Sequence, residues 1–170
     1  MCIRDSSWRA WIAEAENRYR VLSIWCRQVH VLGLSFGASI ALQLNVRPRP
    51  RSLVLLAPAL HPRVGLLGRL ALGLGLHRRP FFRKRLGWKS EVLDGMEAAR
   101  EADWWKGVPV YAAMCEDDHR IDLSSLNHLR RRSSNEKTRI RTFPAGGHVF
   151  VETEPKDELR KEILDFLREN

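Results

Sequence analysis

Three short stretches carry side chains able to attack a carbonyl or move a proton. Gly33-Leu34-Ser35-Phe36-Gly37 sets a serine between two glycines, Cys115-Glu116-Asp117-Asp118-His119 holds three consecutive carboxylates, and Pro144-Ala145-Gly146-Gly147-His148 ends in a histidine. A serine hydroxyl is a weak nucleophile until an imidazole accepts its proton. The imidazole in turn needs a carboxylate to fix its tautomer and stabilise the imidazolium. Gly-x-Ser-x-Gly between a strand and a helix is a nucleophile elbow, which lifts the serine Oγ to the top of a sheet. A Cβ at either flank is expected to strike the neighbouring strand or helix, so Gly33 and Gly37 are both expected to be required. The backbone N–H of Phe36 is then placed to donate to a developing oxyanion. His119 adjoins the carboxylates in sequence and is expected to face solvent. Cys115 and His119 have no complementary His/Cys pair elsewhere, so no metal site is read from them.

The elements that must position these residues follow from apolar patterning. Residues 29–34 and 52–57 are continuous apolar runs separated by Ala38, Ile40, Ala41 and Leu44, a helical spacing. Strand, helix and strand, with both strands apolar throughout, predict a right-handed parallel crossover and an α/β fold covered on both faces. A third strand is expected over residues 110–114 and a fourth over residues 138–143. Ser35, an acid near Asp118, and His148 then follow three strand ends at one edge of the sheet, where open α/β sheets hold their sites. Ser7 should cap a helix whose inner face carries Trp8, Trp11, Ile12, Ala15, Tyr19 and Leu22. Asp122 should cap another, and a last helix from Pro155 places Leu159, Ile163, Phe166 and Leu167 on one face.

Residues 58–106 interrupt the alternation. Val64, Leu66, Leu67, Leu70, Leu72, Leu74 and Leu76 alternate with Gly65, Gly68, Gly73 and Gly75, and a basic run from Arg78 to Arg85 follows. So many glycines argue against a core helix there. The segment reads as a cap over a pocket between the second and third strands, with Leu70 and Leu74 expected to tune selectivity and the basic flank able to rest on phospholipid. The core is then residues 7–57 and 107–170.

A formal charge of +9 permits contact with nucleic acid or an anionic surface. No helix-turn-helix, zinc finger or aromatic-basic repeat accompanies it, so no nucleic-acid partner is expected. Three cysteines without a CxxC pair argue against a disulfide framework and for a reducing, cytoplasmic setting. The opening Met-Cys-Ile-Arg-Asp-Ser resembles translated adapter sequence. Residues 1–6 therefore read as a non-native start, and the chain as the C-terminal part of a longer protein.

The segments Trp8-x-x-Trp11, Val31-Leu32-Gly33-Leu34-Ser35-Phe36-Gly37, Cys115-Glu116-Asp117-Asp118 and Gly147-His148-Val149-Phe150, with the tail through Leu167, resemble the bacterial carboxylesterase and monoacylglycerol lipase branch of the α/β-hydrolases. The resemblance runs from about Ser7 onward and is weakest in the Gly/Leu segment. It implies ester hydrolysis through an acyl-serine, with Ser35, Asp118 and His148 as the triad, Phe36 as one oxyanion donor and no cofactor. Asp118 is preferred over Asp117 because the fourth residue of Cys-Glu-Asp-Asp follows the strand end as the family's acid does. The implied partner is a small-molecule ester with an acyl chain, with no obligate protein partner. Ala38 departs from a glycine common in the family. The family's first strands and the loop giving the second oxyanion N–H have no counterpart, so little activity is expected of this chain alone. Acyl transfer or peptide cleavage on the same residues stays open, as does a catalytically incompetent fragment with a basic lipid-binding surface.

Overall fold

The computed structural model describes residues 7–153 and 155–170. Its element order is α1 (Trp8–Trp25), β1 (His30–Leu34), α2 (Phe36–Ala41), β2 (Ser52–Leu56), α3 (Leu66–Gly73), a 3-10 turn (Leu76–Arg78), α4 (Pro80–Leu86), α5 (Trp88–Glu101), β3 (Val110–Cys115), α6 (Ser124–Arg132), β4 (Arg139–Phe143) and α7 (Lys156–Glu169). The four strands form one parallel sheet in the order β1-β2-β3-β4. Residues 1–6 lie outside the described residues.

Every residue of β2 and β3 is buried, as continuous apolar runs require when helices cover both faces. From α7, Phe166 stacks at 5.8 Å on Tyr111 of β3, whose hydroxyl donates to Glu162 at 2.8 Å. The strand before Ser35 departs from the expected buried strand. Only Gly33 of β1 is buried and Leu32 is 59% exposed, because β1 has a strand neighbour on one side only among the described residues.

Ser7 caps α1, accepting the Ala10 N–H, and Trp8 and Tyr19 are buried as expected. Leu22, expected on the same face, is exposed together with Val21, Ile24 and Trp25, so the last turns of α1 carry their apolar side chains into solvent. The Asp122 carboxylate accepts the Ser124 N–H at 2.9 Å at the start of α6.

The Gly/Leu segment, expected to lack a core helix, does form helix, but neither α3 nor α4 buries a residue. Its glycines punctuate rather than interrupt. Gly65 and Gly73 bound α3, and Gly75 and Gly87 take positive φ of 65° and 56° at the turns that follow. Only Gly68 is interior, and it lies against the Val64 side chain, where an added Cβ would come within 3.0 Å. The inner face of α5 is buried through Gly95, Met96 and Ala99.

Candidate active site

Ser35 terminates β1 with φ 55° and ψ −121°, a conformation L-residues rarely adopt, and α2 begins at the next residue. The turn is held from both sides. The Ser35 N–H donates to Leu56 O at 2.8 Å, extending the ladder with β2 by one residue. The Ser35 carbonyl accepts the N–H groups of Ala38 (3.0 Å) and Ala59 (3.2 Å). Ser39 Oγ in turn donates to Ala59 O, binding the elbow to the loop after β2.

The two flanking glycines differ. A Cβ on Gly33 would lie 2.5 Å from Gly37 O and 2.6 Å from Ala38 N, backbone atoms that cannot move without opening the turn. A Cβ on Gly37 would meet nothing within 4 Å. The expectation that both positions exclude a side chain therefore holds at Gly33 and fails at Gly37, whose outer side faces open space.

Asp118 follows β3 and His148 follows β4. His148 Nε2 lies 2.8 Å from Ser35 Oγ, and His148 Nδ1 lies 2.8 Å from Asp118 Oδ2. The other Asp118 oxygen accepts the N–H groups of Arg120 (2.8 Å) and Ile121 (3.0 Å). Burial acts to raise the pKa of this 1%-exposed carboxyl. The His148 hydrogen bond and the two backbone donors outweigh it, holding the group below the usual carboxylate value. With Nδ1 facing a carboxylate, Nε2 is left to accept the serine proton, which is the arrangement general-base activation requires.

Asp117 points elsewhere. Its carboxylate accepts the N–H groups of Gly147 (2.8 Å) and Gly146 (3.2 Å), the two residues before His148. These glycines have φ of 69° and 138° and so form the turn that aims the imidazole. His119 is exposed. Cys115 is buried with Sγ 3.3 Å from Ala145 O, and burial, with the charges of Asp117 and Asp118, pushes its thiol up to about 11. Among the described residues no group of three or more His, Cys, Asp or Glu could hold a metal.

The Phe36 ring is fixed edge-on to Trp11 at 5.5 Å and presses on α5, where a Cβ on Gly95 would come within 2.6 Å of its tip. Neither Gly95 nor Arg63, which donates to the Asp118 carbonyl, stands out by type and spacing as a site residue. A glycine inside a helical pattern costs ~1 kcal/mol against alanine, and that cost is the signal for Gly95.

Ser35, Phe36 and His148 line a cavity of about 420 Å³ whose remaining wall is mostly Leu86, Trp88, Val92, Leu93, Met96 and Ile121. Leu86 and Leu93 also face a second, apolar and open cavity of about 260 Å³ lined by Val64, Ala71, Leu72, Leu76 and Phe82. Leu70 and Leu74, expected to tune selectivity, line neither and are exposed. A third, polar cavity of about 520 Å³ lies behind Pro62, Leu93 and Met96 and contains His61, Arg69, His77 and Arg100.

A model of the alpha/beta hydrolase family matches residues 4–162. No curated protein sequence matches the chain. Among solved structures, one from the metagenome-derived lipolytic enzymes LipS and LipT is 15% identical, with a TM-score of 0.78 over 99% of this chain and 76% of that one. The monoacylglycerol lipase of Paleococcus ferrophilus is 18% identical, with a TM-score of 0.70 over 95% and 75%. The meta-cleavage product hydrolase CumD of Pseudomonas fluorescens is 17% identical, with a TM-score of 0.68 over 97% and 73%. At these identities the likeness is one of fold.

Proposed function

Because this chain belongs to the α/β-hydrolase family, we propose that it is a serine hydrolase cleaving carboxylic esters with an apolar acyl chain. The supporting observation is the relay Ser35 Oγ, His148, Asp118, with both contacts at 2.8 Å, opening on a largely apolar cavity. In the first step Ser35 Oγ attacks the ester carbonyl carbon while His148 Nε2 takes the hydroxyl proton. Asp118 stays ionised and stabilises the imidazolium. The carbonyl oxygen becomes an oxyanion facing the Phe36 N–H, at the start of α2, where helix N–H groups lack intrahelical partners. Collapse breaks the C–O bond, and His148 returns its proton to the leaving alcohol. Water, deprotonated by His148, then attacks the acyl-serine and releases the acid. No step needs a metal or a cofactor.

Leu86, Val92, Leu93 and Ile121 favour an acyl chain over a charged group at the carbonyl carbon. Reaction with a fluorophosphonate probe followed by peptide mass analysis tests the assignment. Covalent labelling of Ser35, lost in Ser35→Ala, is expected. Labelling at another serine, or an unlabelled Ser35 in a folded chain, overturns it.

A further inference from the structure

The outer side of the cap is apolar without a partner. On α3, Gly68, Ala71 and Leu72 turn toward the 260 Å³ cavity. At 3.6 residues per turn, Leu66, Leu67 and Leu70 fall in one stripe covering roughly a third of the opposite circumference, and Leu74 follows just past the helix end. These four leucines are 74%, 82%, 55% and 73% exposed, and Phe81 at the start of α4 is 71% exposed. Scattered exposed leucines need no explanation, but a contiguous set on a helix that buries nothing marks a contact surface.

The charges beside it are unbalanced. Arg78 is engaged by Glu97 and Asp94, and Arg83 by Glu91 and Asp94. Arg79, Lys84 and Arg85 are exposed and make no ion pair among the described residues. α4 turns Phe82 and Leu86 to the cavity that α3 covers, so the outward sides of both helices lie on the outer side of the cap.

We propose that this surface docks on a bilayer containing anionic phospholipid, with the leucines of α3 in the acyl boundary and the three unpaired cations at the headgroups. An apolar face with a basic margin is what interfacial helices present, and each Lys or Arg near an anionic surface strengthens binding about fivefold. No helix among the described residues is long and apolar enough to cross a membrane, and eight residues of α3 suit a helix lying in the interface. A second copy of the chain is the weaker occupant, since a two-fold contact through this patch sets one basic margin against another. The inference extends the ester-hydrolase reading by naming where the substrate resides. Docking brings the cavity beneath α3 to the membrane, so that an acyl chain leaves lipid for Leu72, Leu86 and Leu93 rather than for water.

Co-flotation of the full chain with vesicles of phosphatidylcholine alone, or with added phosphatidylglycerol, tests it. Binding to the anionic vesicles is expected to be at least about tenfold tighter than to phosphatidylcholine alone. Changing Leu66, Leu67, Leu70 and Leu74 to Ser should abolish it, and changing Arg79, Lys84 and Arg85 to Gln should remove its dependence on phosphatidylglycerol. Circular dichroism and fluorophosphonate labelling of Ser35 should be unchanged in the leucine variant. Absence of flotation overturns the proposal. So does flotation that the leucine variant retains, which assigns adsorption to other basic surfaces. Failure to float combined with a dimer that the leucine variant converts to a monomer gives the patch to a second copy. A chain that floats but is not labelled at Ser35 by the fluorophosphonate probe overturns the ester-hydrolase reading and leaves the docking surface standing. One that is labelled at Ser35 without floating does the reverse.

Discussion

The Asp117 carboxylate accepts the Gly147 N–H at 2.8 Å across a gap of 30 residues, while the adjacent Asp118 accepts from the imidazole one residue further on. Two neighbouring acids thus hold one histidine, Asp117 through its turn and Asp118 through its ring. Their substitutions should separate. Asp118→Asn removes the charge that fixes the tautomer and should lower kcat by ~10³–10⁴. Asp117→Asn keeps one acceptor oxygen and should cost less than about tenfold, the range of one neutral hydrogen bond. Steady-state kinetics on a soluble ester decide this, and the reverse ranking would make Asp117 the acid.

Ser35→Ala and His148→Ala should each reduce ester hydrolysis to the background left by binding and oxyanion stabilisation. The double variant should be no worse than either, because groups acting in one proton transfer fail together. Multiplying losses in a double-mutant cycle would mean that the two act in separate steps.

Acyl-chain preference should respond to residues that face the cavities rather than those that face outward. Ala71→Phe fills the 260 Å³ cavity and should move the optimum p-nitrophenyl ester to shorter chains. Leu70→Ser and Leu74→Ser should leave the profile on soluble esters unaltered, since both side chains point into solvent. A profile that shifts with Leu70 and Leu74 but not Ala71 would place the acyl chain outside the cap.

Burial, with the nearby charges of Arg100 and His128, lowers His61 from 6.5 to about 4. Between those values the unfolded chain holds a proton at His61 that the folded chain does not. Stability is therefore full above about 6.5 and declines as pH falls toward 4. His61→Gln should flatten that decline, measured as the change in urea midpoint between about pH 7.5 and about pH 4.5. An unaltered decline would assign the acid sensitivity to other groups.

The meeting of Ser35, Asp118 and His148 is legible in the sequence because Ser35 and Asp118 follow apolar runs long enough for strands, His148 follows the weaker alternation of residues 138–143, and parallel strands align their ends. The parallel order of β1, β2 and β3 follows from the same runs. What escapes is whatever depends on a neighbour distant in sequence. The freedom at Gly37 turns on what packs outside α2, and the tight place at Gly95 on where the Phe36 ring comes to rest. The outward stripe of α3 is hidden for a further reason. Leucines at Leu66, Leu67 and Leu70 have the spacing of a core face, and only the cavity beneath Ala71 and Leu72 shows that the smaller face is the inner one.

The positive φ of Ser35 sets stability against activity at a single position. On the proposed mechanism, the residue that supplies the hydroxyl sits where the backbone penalises any Cβ, at a cost of ~1–3 kcal/mol. Ser35→Gly relieves that cost and should raise the melting temperature while ending turnover. A laboratory selection for heat resistance alone would be drawn to glycine at this site and would return a sturdier chain with no chemistry. Selection for stability in this protein must therefore be coupled, at every round, to a measurement of hydrolysis.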